Sequence, residues 1–212
     1  SYLEQDKPRG LPDAFVIGER FIGKENVAMI LGDNFFYGQS LTSKLKNCIK
    51  LQSGCKILLH PVSKPELYGV AEIKNKNKVI SVKEKPKKSK SNLAVTGLYF
   101  FDNKVINFSK SLKPSKRKEL EIVDLLNEYR KENRLSAELI GRGGAWLDTG
   151  SIEDFYKTSN FVSAIENQQG FKIACLEEIS LNNKWIQKKD IKKSIEFYGR
   201  CNYAEYLKKI IS

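Results

Sequence analysis

The first 62 residues alternate between amphipathic and short apolar segments, and this alternation constrains the fold more than any other feature. Residues 11–21 and 41–51 can each place their apolar side chains on one face of a helix. Residues 27–31 and 55–62 are short apolar runs, which indicate buried strands. The order helix, strand, helix, strand is typical of parallel strands joined by crossover helices. The sequence therefore predicts an α/β fold, in which ligands bind at the carboxyl ends of the strands.

The middle of the chain predicts strands in close succession, and the remainder is mainly helical. The pattern indicates strands at residues 69–73, 79–85, 93–101 and 135–141, and helices at about 104–112, 120–131, 152–167 and 191–211. The first three of these strands indicate an antiparallel insertion or edge. No repeat and no long Gly/Ser linker interrupts the sequence. We therefore expect one α/β domain over residues 1–150 and a helical C-terminal region over residues 151–212 packed on it.

The composition limits the chemistry that the chain can perform. Its four cysteines lack C-x-x-C spacing and His60 is its only histidine, so we expect neither a zinc cluster nor a Ser/His or Cys/His catalytic pair. His60 lies in a strand-like segment and is interpreted as structural. Scattered cysteines are typical of reduced thiols in a cytoplasmic protein. Catalysis would then depend on carboxylates, lysines, arginines and, where one is bound, a metal ion.

The net charge of +12 is compatible with nucleic acid, with an anionic small substrate, or with no charged partner at all. The densest basic run, VKEKPKKSKSN, contains Pro86 and no aromatic residue, which favours a solvated loop. No aromatic-studded RNA-binding motif accompanies it. No apolar run approaches the roughly 20 residues of a membrane span. We therefore expect neither a nucleic-acid nor a membrane partner.

Two aspartates end separate strand-like segments in similar surroundings, Asp33 in LGDN and Asp148 in WLDTG. The neighbouring glycines would let a phosphate or its metal ion approach the backbone. Carboxylates from two strand ends suit Mg²⁺, which prefers oxygen ligands and keeps several waters. Each aspartate also has an ordinary interpretation as a turn residue or a helix N-cap. Spacing alone leaves both interpretations open.

Another predicted strand ends in Glu84 and Lys85, directly before Pro86. A lysine at a strand end can act as a point charge on a phosphate, and a glutamate there can accept hydrogen bonds from sugar hydroxyls. A simple surface charge is the alternative for Lys85. Arg117 in PSKRKELE is equally ambiguous, because it belongs to a cationic stretch before a helix.

Several segments together resemble, in order and spacing, the glucose-1-phosphate thymidylyltransferase family. They are LEQ with GL five residues on, LGDNFFYGQ, YGVAEI, EKPKKSKSNLAVTGLYFF, ELEIVDLLNEY, GRGGAWLDTGS and QGFKIACLEEI. The resemblance covers nearly the whole chain. It implies an α/β fold with a Rossmann-like nucleotidyltransferase sheet, mixed and mostly parallel. It also implies an enzyme that converts dTTP and glucose 1-phosphate into dTDP-glucose and pyrophosphate with Mg²⁺.

The resemblance further implies roles for individual residues. Asp33 and Asp148 would hold the metal ion at the nucleotide, and Gln5 and Gly10 would lie at the thymine base. Lys85 and Arg117 would be the catalytic groups on the sugar phosphate. The glucose pocket would be lined by Asn34, Tyr68, Gly69, Glu84 and Val95. The implied mechanism is in-line attack of a phosphate oxygen, which is already ionised and needs no histidine base.

The sequence departs from the family pattern at its N-terminus. The family begins with a strand, a glycine-rich phosphate loop ending in a Thr-Arg pair and a lysine-containing segment, which have no counterpart in this sequence. We therefore expect a sheet that lacks its first strands and negligible turnover by this chain alone. We also expect an apolar edge at residues 27–31 and a homo-oligomer, formed through that edge or through the C-terminal helical contacts that the resemblance implies.

Two alternatives stay open on the sequence. A uridylyl- or cytidylyltransferase of the same superfamily would share the aspartates and the lysine. A non-catalytic sugar-nucleotide or nucleic-acid binding module would account for the basic excess. Competition among nucleotides would separate the first from a thymidylyltransferase, and retention on heparin without dTDP-glucose binding would identify the second.

Overall fold

A computed structural model describes residues 1–75 and 77–212. Its contacts divide the chain into two compact units, residues 1–148 and 149–212. The described strands, all in the first unit, are β1 (Val27–Ile30), β2 (Asn34–Gly38), β3 (Cys55–Pro61), β4 (Gly69–Lys74), β5 (Lys78–Glu84), β6 (Leu93–Phe101), β7 (Leu135–Leu139) and β8 (Gly144–Asp148). The helices of this unit are α1 (Asp13–Ile17), α2 (Glu19–Ile22), α3 (Leu41–Ile49), α4 (Lys104–Ser111) and α5 (Ile122–Lys131).

Six strands form one mixed sheet in the order β1-β6-β3-β7-β5-β4, and β4 also pairs with the start of β6. β6 runs antiparallel to β1, β3 and β4, and β5 runs antiparallel to β4 and β7. Four of these six described strands therefore share one direction, which confirms the predicted α/β class and mixed sheet. Among the described strands, however, only β3 and β7 pair directly in parallel, because β6 enters between β1 and β3 in the opposite direction.

Strand β6 separates two layers of the core. Its sequence LAVTGLYFF is buried from Ala94 to Phe101, as expected for a strand covered on both faces. Side chains alternate between the faces. Tyr99 and Phe101 pack into a cluster with residues of α1, α4 and α5, whereas Leu98 and Phe100 pack into a second cluster with Trp146 of β8. Strands β2 and β8 pair with each other in a separate two-stranded ribbon. This β2/β8 ribbon therefore contacts the core through the face opposite to helices α1, α4 and α5.

The chain after β1 forms a strand that the sequence did not predict. Strand β2 pairs antiparallel with β8, from Asn34 opposite Asp148 to Gly38 opposite Gly144. All five residues of β2 are half-buried, so NFFYG lacks the alternation that identifies a strand. The two strands approach closely, because a Cβ on Gly38 would lie 2.9 Å from the Gly144 Cα atom. This ribbon positions both predicted metal-binding aspartates.

Two predicted helices are interrupted, and one helix was not predicted. Residues 11–21 form the short helices α1 and α2, which meet at Gly18. The second unit contains α6 (Ile152–Gln169), α7 (Leu176–Asn182), α8 (Lys188–Tyr198) and α9 (Asn202–Ile211). The predicted helix over residues 191–211 is therefore two helices, because α8 ends at Gly199 with φ +66°. The unpredicted helix α7 is only seven residues long. Among the described residues, no helix is both long and apolar enough to cross a bilayer.

A buried carboxylate joins four parts of the first unit. Asp102, which directly follows β6, is only 6% exposed. It accepts hydrogen bonds from the Gly54 N–H at 2.6 Å, the Tyr129 hydroxyl at 2.9 Å and the Arg134 guanidinium at 2.5 Å. Burial, together with the Asp102 charge, raises the pKa of the Tyr129 hydroxyl well above its usual range. Because each partner comes from a different segment, we refer to these four residues as the Asp102 clamp.

Strand β1 lies at the edge of the sheet. In the described part of the chain it pairs with β6 on one side only, in the register Val27 opposite Phe101 to Ile30 opposite Leu98. The Ile30 side chain is 61% exposed, and Phe21 in α2 is 75% exposed. An apolar edge strand of this kind is a site at which another chain can pair.

Candidate active site

The aspartates Asp33 and Asp148 lie at the same end of the β2/β8 ribbon. Asp148 is the last residue of β8 and is paired with Asn34, the residue that follows Asp33. Paired residues in an antiparallel ribbon have Cα atoms about 4.5–5.5 Å apart. Asp33 occupies a turn, in which the Asn34 N–H donates to the Leu31 carbonyl at 3.2 Å. The N-cap of the helix after Asp148 is Ser151, which excludes the N-cap interpretation of Asp148.

The donor set at this ribbon end fits Mg²⁺ that is held partly by a nucleotide. Within the described residues, no group of three or more His, Cys, Asp and Glu side chains could hold a metal ion. Mg²⁺ is commonly bound through one or two carboxylates, with substrate phosphates and waters completing its coordination. Two neighbouring aspartates are therefore an adequate protein contribution to such a site, and the residues fit the ion that the family resemblance implies.

The side-chain amide of Asn34 is held from three directions. Its Oδ1 atom accepts a hydrogen bond from the Gly97 N–H at 3.0 Å and one from Trp146 Nε1 at 2.5 Å. Its Nδ2 atom donates to Asp33 Oδ1 at 2.8 Å. A Cβ on Gly97 would lie 2.6 Å from the Asn34 Cγ atom, so only glycine allows this approach. Trp146 was not predicted as a site residue, although a tryptophan that follows two glycines and precedes Asp148 is a recognisable signal.

Three of the predicted sugar-binding residues, Gly69, Glu84 and Val95, lie on the neighbouring strands β4, β5 and β6, and Tyr68 directly precedes β4. The fifth, Asn34, lies on β2. Gly69 pairs with Glu84 across β4 and β5. A Cβ on Gly69 would lie 3.4 Å from Glu84 Oε2 and 3.9 Å from the Val95 Cβ atom. The Tyr68 carbonyl accepts a hydrogen bond from the Lys85 N–H at 3.0 Å. The Tyr68 ring also packs edge-on against Trp146, with ring centroids 5.1 Å apart, which connects these strands to the ribbon.

Lys85 has a strained backbone. Its φ angle is +39°, in a region that non-glycine residues rarely adopt, and it precedes Pro86. Residues before proline favour extended conformations, so this conformation is unfavourable on two counts. Backbone strain of this kind costs about 1–3 kcal/mol and is concentrated at functional sites. The chain bends in this strained conformation directly after β5, where Lys85 carries the predicted phosphate-binding side chain.

Arg117 is held by a carboxylate from the start of α5. Its Nε and terminal nitrogen atoms donate to the two oxygens of Glu121 at 3.1 and 2.6 Å, and the Ser115 hydroxyl donates to the same carboxylate at 2.6 Å. The hydrogen bond with Glu121 raises the pKa of Arg117, and the bond with Arg117 lowers the pKa of Glu121. Arg117 is therefore an oriented cation before any ligand arrives.

Glu84, Lys85, Arg117 and Glu121 form one electrostatic group. Glu84 is exposed, yet the surrounding protein desolvates its carboxyl and raises its pKa. The Glu121 charge adds to this increase, whereas the Lys85 and Arg117 charges oppose it. The group thus combines a carboxylate that is poorly solvated with two cations, as a site for a hydroxylated, phosphorylated ligand requires.

A pocket of about 1070 Å³ is lined by Gln5, Gly10, Glu84 and Arg117 among other residues. Gln5 Nε2 donates to Asp13 Oδ2 at 2.8 Å and to the Gly10 carbonyl at 3.3 Å. Gly10 has φ +97°, and a Cβ there would lie 2.1 Å from the Leu120 carbonyl oxygen. The predicted base-binding residues therefore share a pocket with Glu84 and Arg117. The other predicted site residues do not line it; they are Asp33, Asn34, Tyr68, Gly69, Lys85, Val95 and Asp148.

Comparison with known proteins identifies the family to which the chain is similar. Residues 1–165 match the family model described as "Nucleotidyl transferase". The chain is 44% identical over 211 residues to the glucose-1-phosphate thymidylyltransferase of Neisseria meningitidis, and 46% identical over 210 residues to that of Neisseria gonorrhoeae. These alignments cover 100% and 99% of the chain and 73% of each relative.

A solved structure of a UDP-glucose pyrophosphorylase complexed with UDP-glucose superimposes with a TM-score of 0.67 at 29% identity. The match covers 76% of this chain and 64% of the solved one, so the chain spans less than two thirds of that structure. The matched sequence and fold lead to one assignment: the chain belongs to the glucose-1-phosphate thymidylyltransferase family of nucleotidyl transferases.

Proposed function

We propose that this chain binds a thymidine nucleotide and glucose 1-phosphate, and that its residues serve the conversion of dTTP and glucose 1-phosphate into dTDP-glucose and pyrophosphate. The names of its relatives support these substrates. The observation that carries the proposal is the shared pocket of Gln5, Gly10, Glu84 and Arg117. Within this pocket, Gln5 and Gly10 offer groups for a base, and Glu84 and Arg117 offer groups for a sugar phosphate.

The orientation of Gln5 supports a thymine or uracil base and opposes cytosine. Asp13 offers carboxylate oxygens, which accept hydrogen bonds, so the Gln5 side chain must present its NH₂ group to Asp13. In the described part of the chain the Gln5 Oε1 atom accepts no hydrogen bond, and it remains available for a ligand donor. Thymine and uracil carry an N–H at position 3, whereas cytosine carries an acceptor there. Relatives at 44% and 46% identity favour thymidine over uridine.

The group around Glu84 supports binding of a hexose. In the proposed complex, Glu84 accepts hydrogen bonds from sugar hydroxyls and Asn34 contributes its amide. Gly69 leaves the carboxylate accessible, because any side chain there would lie against Glu84 Oε2. Tyr68 and Val95 supply apolar surface to the sugar ring. Partial desolvation of the Glu84 carboxylate by the surrounding protein strengthens such hydrogen bonds.

Lys85 and Arg117 would stabilise the phosphates during the reaction. An oxygen of the sugar phosphate attacks the α-phosphorus of dTTP in line, and the bond from that phosphorus to the β-phosphate oxygen breaks. Lys85 neutralises charge as a point cation. Arg117 uses two nitrogens for Glu121 and has further N–H donors for a phosphate. No residue has to remove a proton, because the attacking oxygen is ionised.

Asp33 and Asp148 would hold Mg²⁺ at the nucleotide phosphates. When bound, the ion neutralises phosphate charge and orients the reacting groups. The part of this chain is to present two carboxylates from one ribbon end, with the Asn34 amide orienting Asp33. The antiparallel pairing holds Asp148, and Asp33 lies in the turn directly before the paired residue Asn34.

Isothermal titration of this chain with dTDP-glucose, UDP-glucose and CDP-glucose in Mg²⁺ tests the proposal. We expect dTDP-glucose to bind most tightly and CDP-glucose at least tenfold more weakly, since each lost or repulsive hydrogen bond costs about 1–3 kcal/mol. Equal binding of all three, or binding of none, would contradict it. The latter result with retention on heparin in moderate salt would instead identify a nucleic-acid binding module.

Two variants locate the ligand. Arg117→Ala and Glu84→Gln are each expected to weaken dTDP-glucose binding about tenfold, whereas Arg200→Ala and Glu153→Gln, exposed residues of the second unit, are matched controls expected to have no effect. Unchanged binding by both test variants would show that the ligand does not bind in this pocket. Because binding rather than turnover is measured, the result is informative whether or not this chain turns over substrate.

A further inference from the structure

We infer that Trp146 is a positioning residue: its indole N–H fixes the Asn34 amide and, through it, the Asp33 carboxylate. This inference rests on the proposed function, because it assumes that Asp33 holds a divalent ion. It assigns to Trp146 a role in metal affinity beyond that of an aromatic residue packed in the core.

The hydrogen bonds at Asn34 allow only one orientation of its amide. Oδ1 accepts from two N–H donors, those of Gly97 and Trp146. An amide flip would place the NH₂ group against both donors, so each of them opposes the flip. With Oδ1 fixed in this way, Nδ2 faces Asp33 and donates to it at 2.8 Å. The Gly97 and Trp146 donors therefore ensure that Asn34 presents its NH₂ group, and not its carbonyl oxygen, to Asp33.

Trp146 is well placed to supply a rigid donor. It lies on β8 two residues before Asp148, so both side chains project from the same face of the strand. Across the ribbon, Asn34 is paired with Asp148 and is thus the diagonal neighbour of Trp146. The indole is only 8% exposed and packs edge-on against Tyr68 and against His60. A side chain confined by two aromatic neighbours loses little further freedom when its N–H donates.

Removal of the indole N–H should let the Asp33 carboxylate adopt more orientations, while the core stays packed. In Trp146→Phe, an aromatic ring remains against Tyr68, but only the Gly97 N–H then opposes rotation of the Asn34 amide. When the amide rotates, Asp33 Oδ1 loses the Asn34 N–H donor and faces the amide oxygen instead. The carboxylate then samples orientations that do not fit the ion, and metal affinity decreases.

Binding of Mn²⁺ to the whole chain in the presence of saturating dTDP-glucose tests this inference, with free Mn²⁺ measured by electron paramagnetic resonance. We expect Trp146→Phe to raise the Mn²⁺ dissociation constant about three- to tenfold, as for loss of one hydrogen bond. Trp185→Phe is the matched control, since this indole is 72% exposed and lies in the second unit. It should bind Mn²⁺ as the unsubstituted chain does.

A double-mutant cycle distinguishes positioning from a general packing role. If Trp146 acts through the amide, Trp146→Phe should have no further effect on Mn²⁺ affinity in an Asn34→Ala background. An equal loss in both backgrounds, or no loss in either, would overturn the inference and leave the proposed function intact. A chain with native residues that binds dTDP-glucose but no Mn²⁺ would instead overturn the proposed metal site.

A metal-free measurement covers the case in which a variant binds poorly because it folds poorly. The chain has two tryptophans, so its ¹H–¹⁵N spectrum contains two indole signals, and Trp185→Phe assigns them. Asn34→Ala should move the Trp146 signal upfield, because the indole proton loses its acceptor. An unmoved signal in a folded variant would overturn the inference.

Discussion

Gly69 and Glu84 lie opposite each other on β4 and β5, so close that a Cβ on Gly69 would be 3.4 Å from Glu84 Oε2. The glycine keeps one side of the carboxylate free of protein, while burial raises its pKa. A ligand hydroxyl that donates to Glu84 would recover part of the solvation that folding removes. Binding of the proposed ligand would therefore offset part of the cost of desolvating Glu84.

Glu84→Gln should make the chain more stable at pH 7 and weaken dTDP-glucose binding. Because the pKa of Glu84 is raised in the folded chain above its ordinary value of 4.5, its contribution to stability is greatest below that pH and is lost as the pH rises through the folded pKa. We expect a melting temperature up to about 2 °C higher at pH 7, with the difference disappearing near pH 4. Scanning fluorimetry across this range, with exposed Glu66→Gln as control, would detect it. A lower melting temperature at pH 7 would contradict the argument.

Lys85→Gly should stabilise the fold by about 1 kcal/mol, since glycine adopts a φ of +39° without strain. The same change removes a cation from the proposed phosphate site and should weaken dTDP-glucose binding. Lys85→Ala should lose the binding without the gain in stability. Urea unfolding and titration of both variants would separate the two effects. Lys88→Gly, in the same loop, serves as the control, and an equal gain there would rule out strain at Lys85.

Gly10→Ala should reduce stability and nucleotide affinity together. A Cβ at this position would lie 2.1 Å from the Leu120 carbonyl oxygen, and φ is +97°. The Arg9 carbonyl also accepts a 2.7 Å hydrogen bond from the Leu120 N–H, so displacement of Gly10 would break this contact. We expect a loss of about 1–3 kcal/mol in urea unfolding. Gly23→Ala is a useful comparison, because its φ is also positive but no atom lies within 4 Å.

Asp102→Ala should destabilise the first unit strongly. The change removes the acceptor for Gly54, Tyr129 and Arg134, and leaves a half-buried guanidinium without its main partner. Loss of one member of a buried ion pair costs about 3–5 kcal/mol. Glu205→Ala, which removes an exposed pair with Lys208, should cost less than about 0.5 kcal/mol. Comparable losses in urea unfolding would show that the Asp102 clamp has no special role.

The exposed edge at β1 should cause concentration-dependent self-association. Ile30 and Phe21 expose apolar surface beside a strand with one described neighbour. Ile30→Lys should shift light scattering towards monomer, because a charged edge strand disfavours pairing. Ile49→Lys, at another exposed apolar position, is the control. A monomer at every concentration would contradict self-association. Equal effects of both variants would exclude the β1 edge as the site of association.

Local sequence patterns predicted the elements that carry a strong periodicity. Strand β6 and helix α5 were predicted within two residues of their observed bounds, because continuous burial and a 3.6-residue stripe are visible in the sequence. Strand β2 was missed because its residues are evenly half-buried and its partner, β8, is far away in the chain. The break at Gly18 was missed because apolar residues on both sides continue the same pattern.

The candidate site was predictable only in part. Family resemblance named Glu84 and Lys85, and β-pairing explains why Gly69 lies beside them. The pair Arg117 and Glu121 was not predictable from helix spacing, because both residues precede α5, which begins at Ile122. The contact of Trp146 with Asn34 was not predictable either, because it depends on the register of a ribbon that no local signal revealed.

The β2/β8 ribbon also has a consequence for synthesis of the protein. Strand β2 emerges from the ribosome early, whereas its partner, β8, emerges only when residues 144–148 have been made. Contacts between such distant parts of a chain form slowly and late in folding. Nascent chains that stop before residue 144 could complete much of the large sheet, yet they would lack Asp148, one of the two carboxylates proposed to hold a divalent ion.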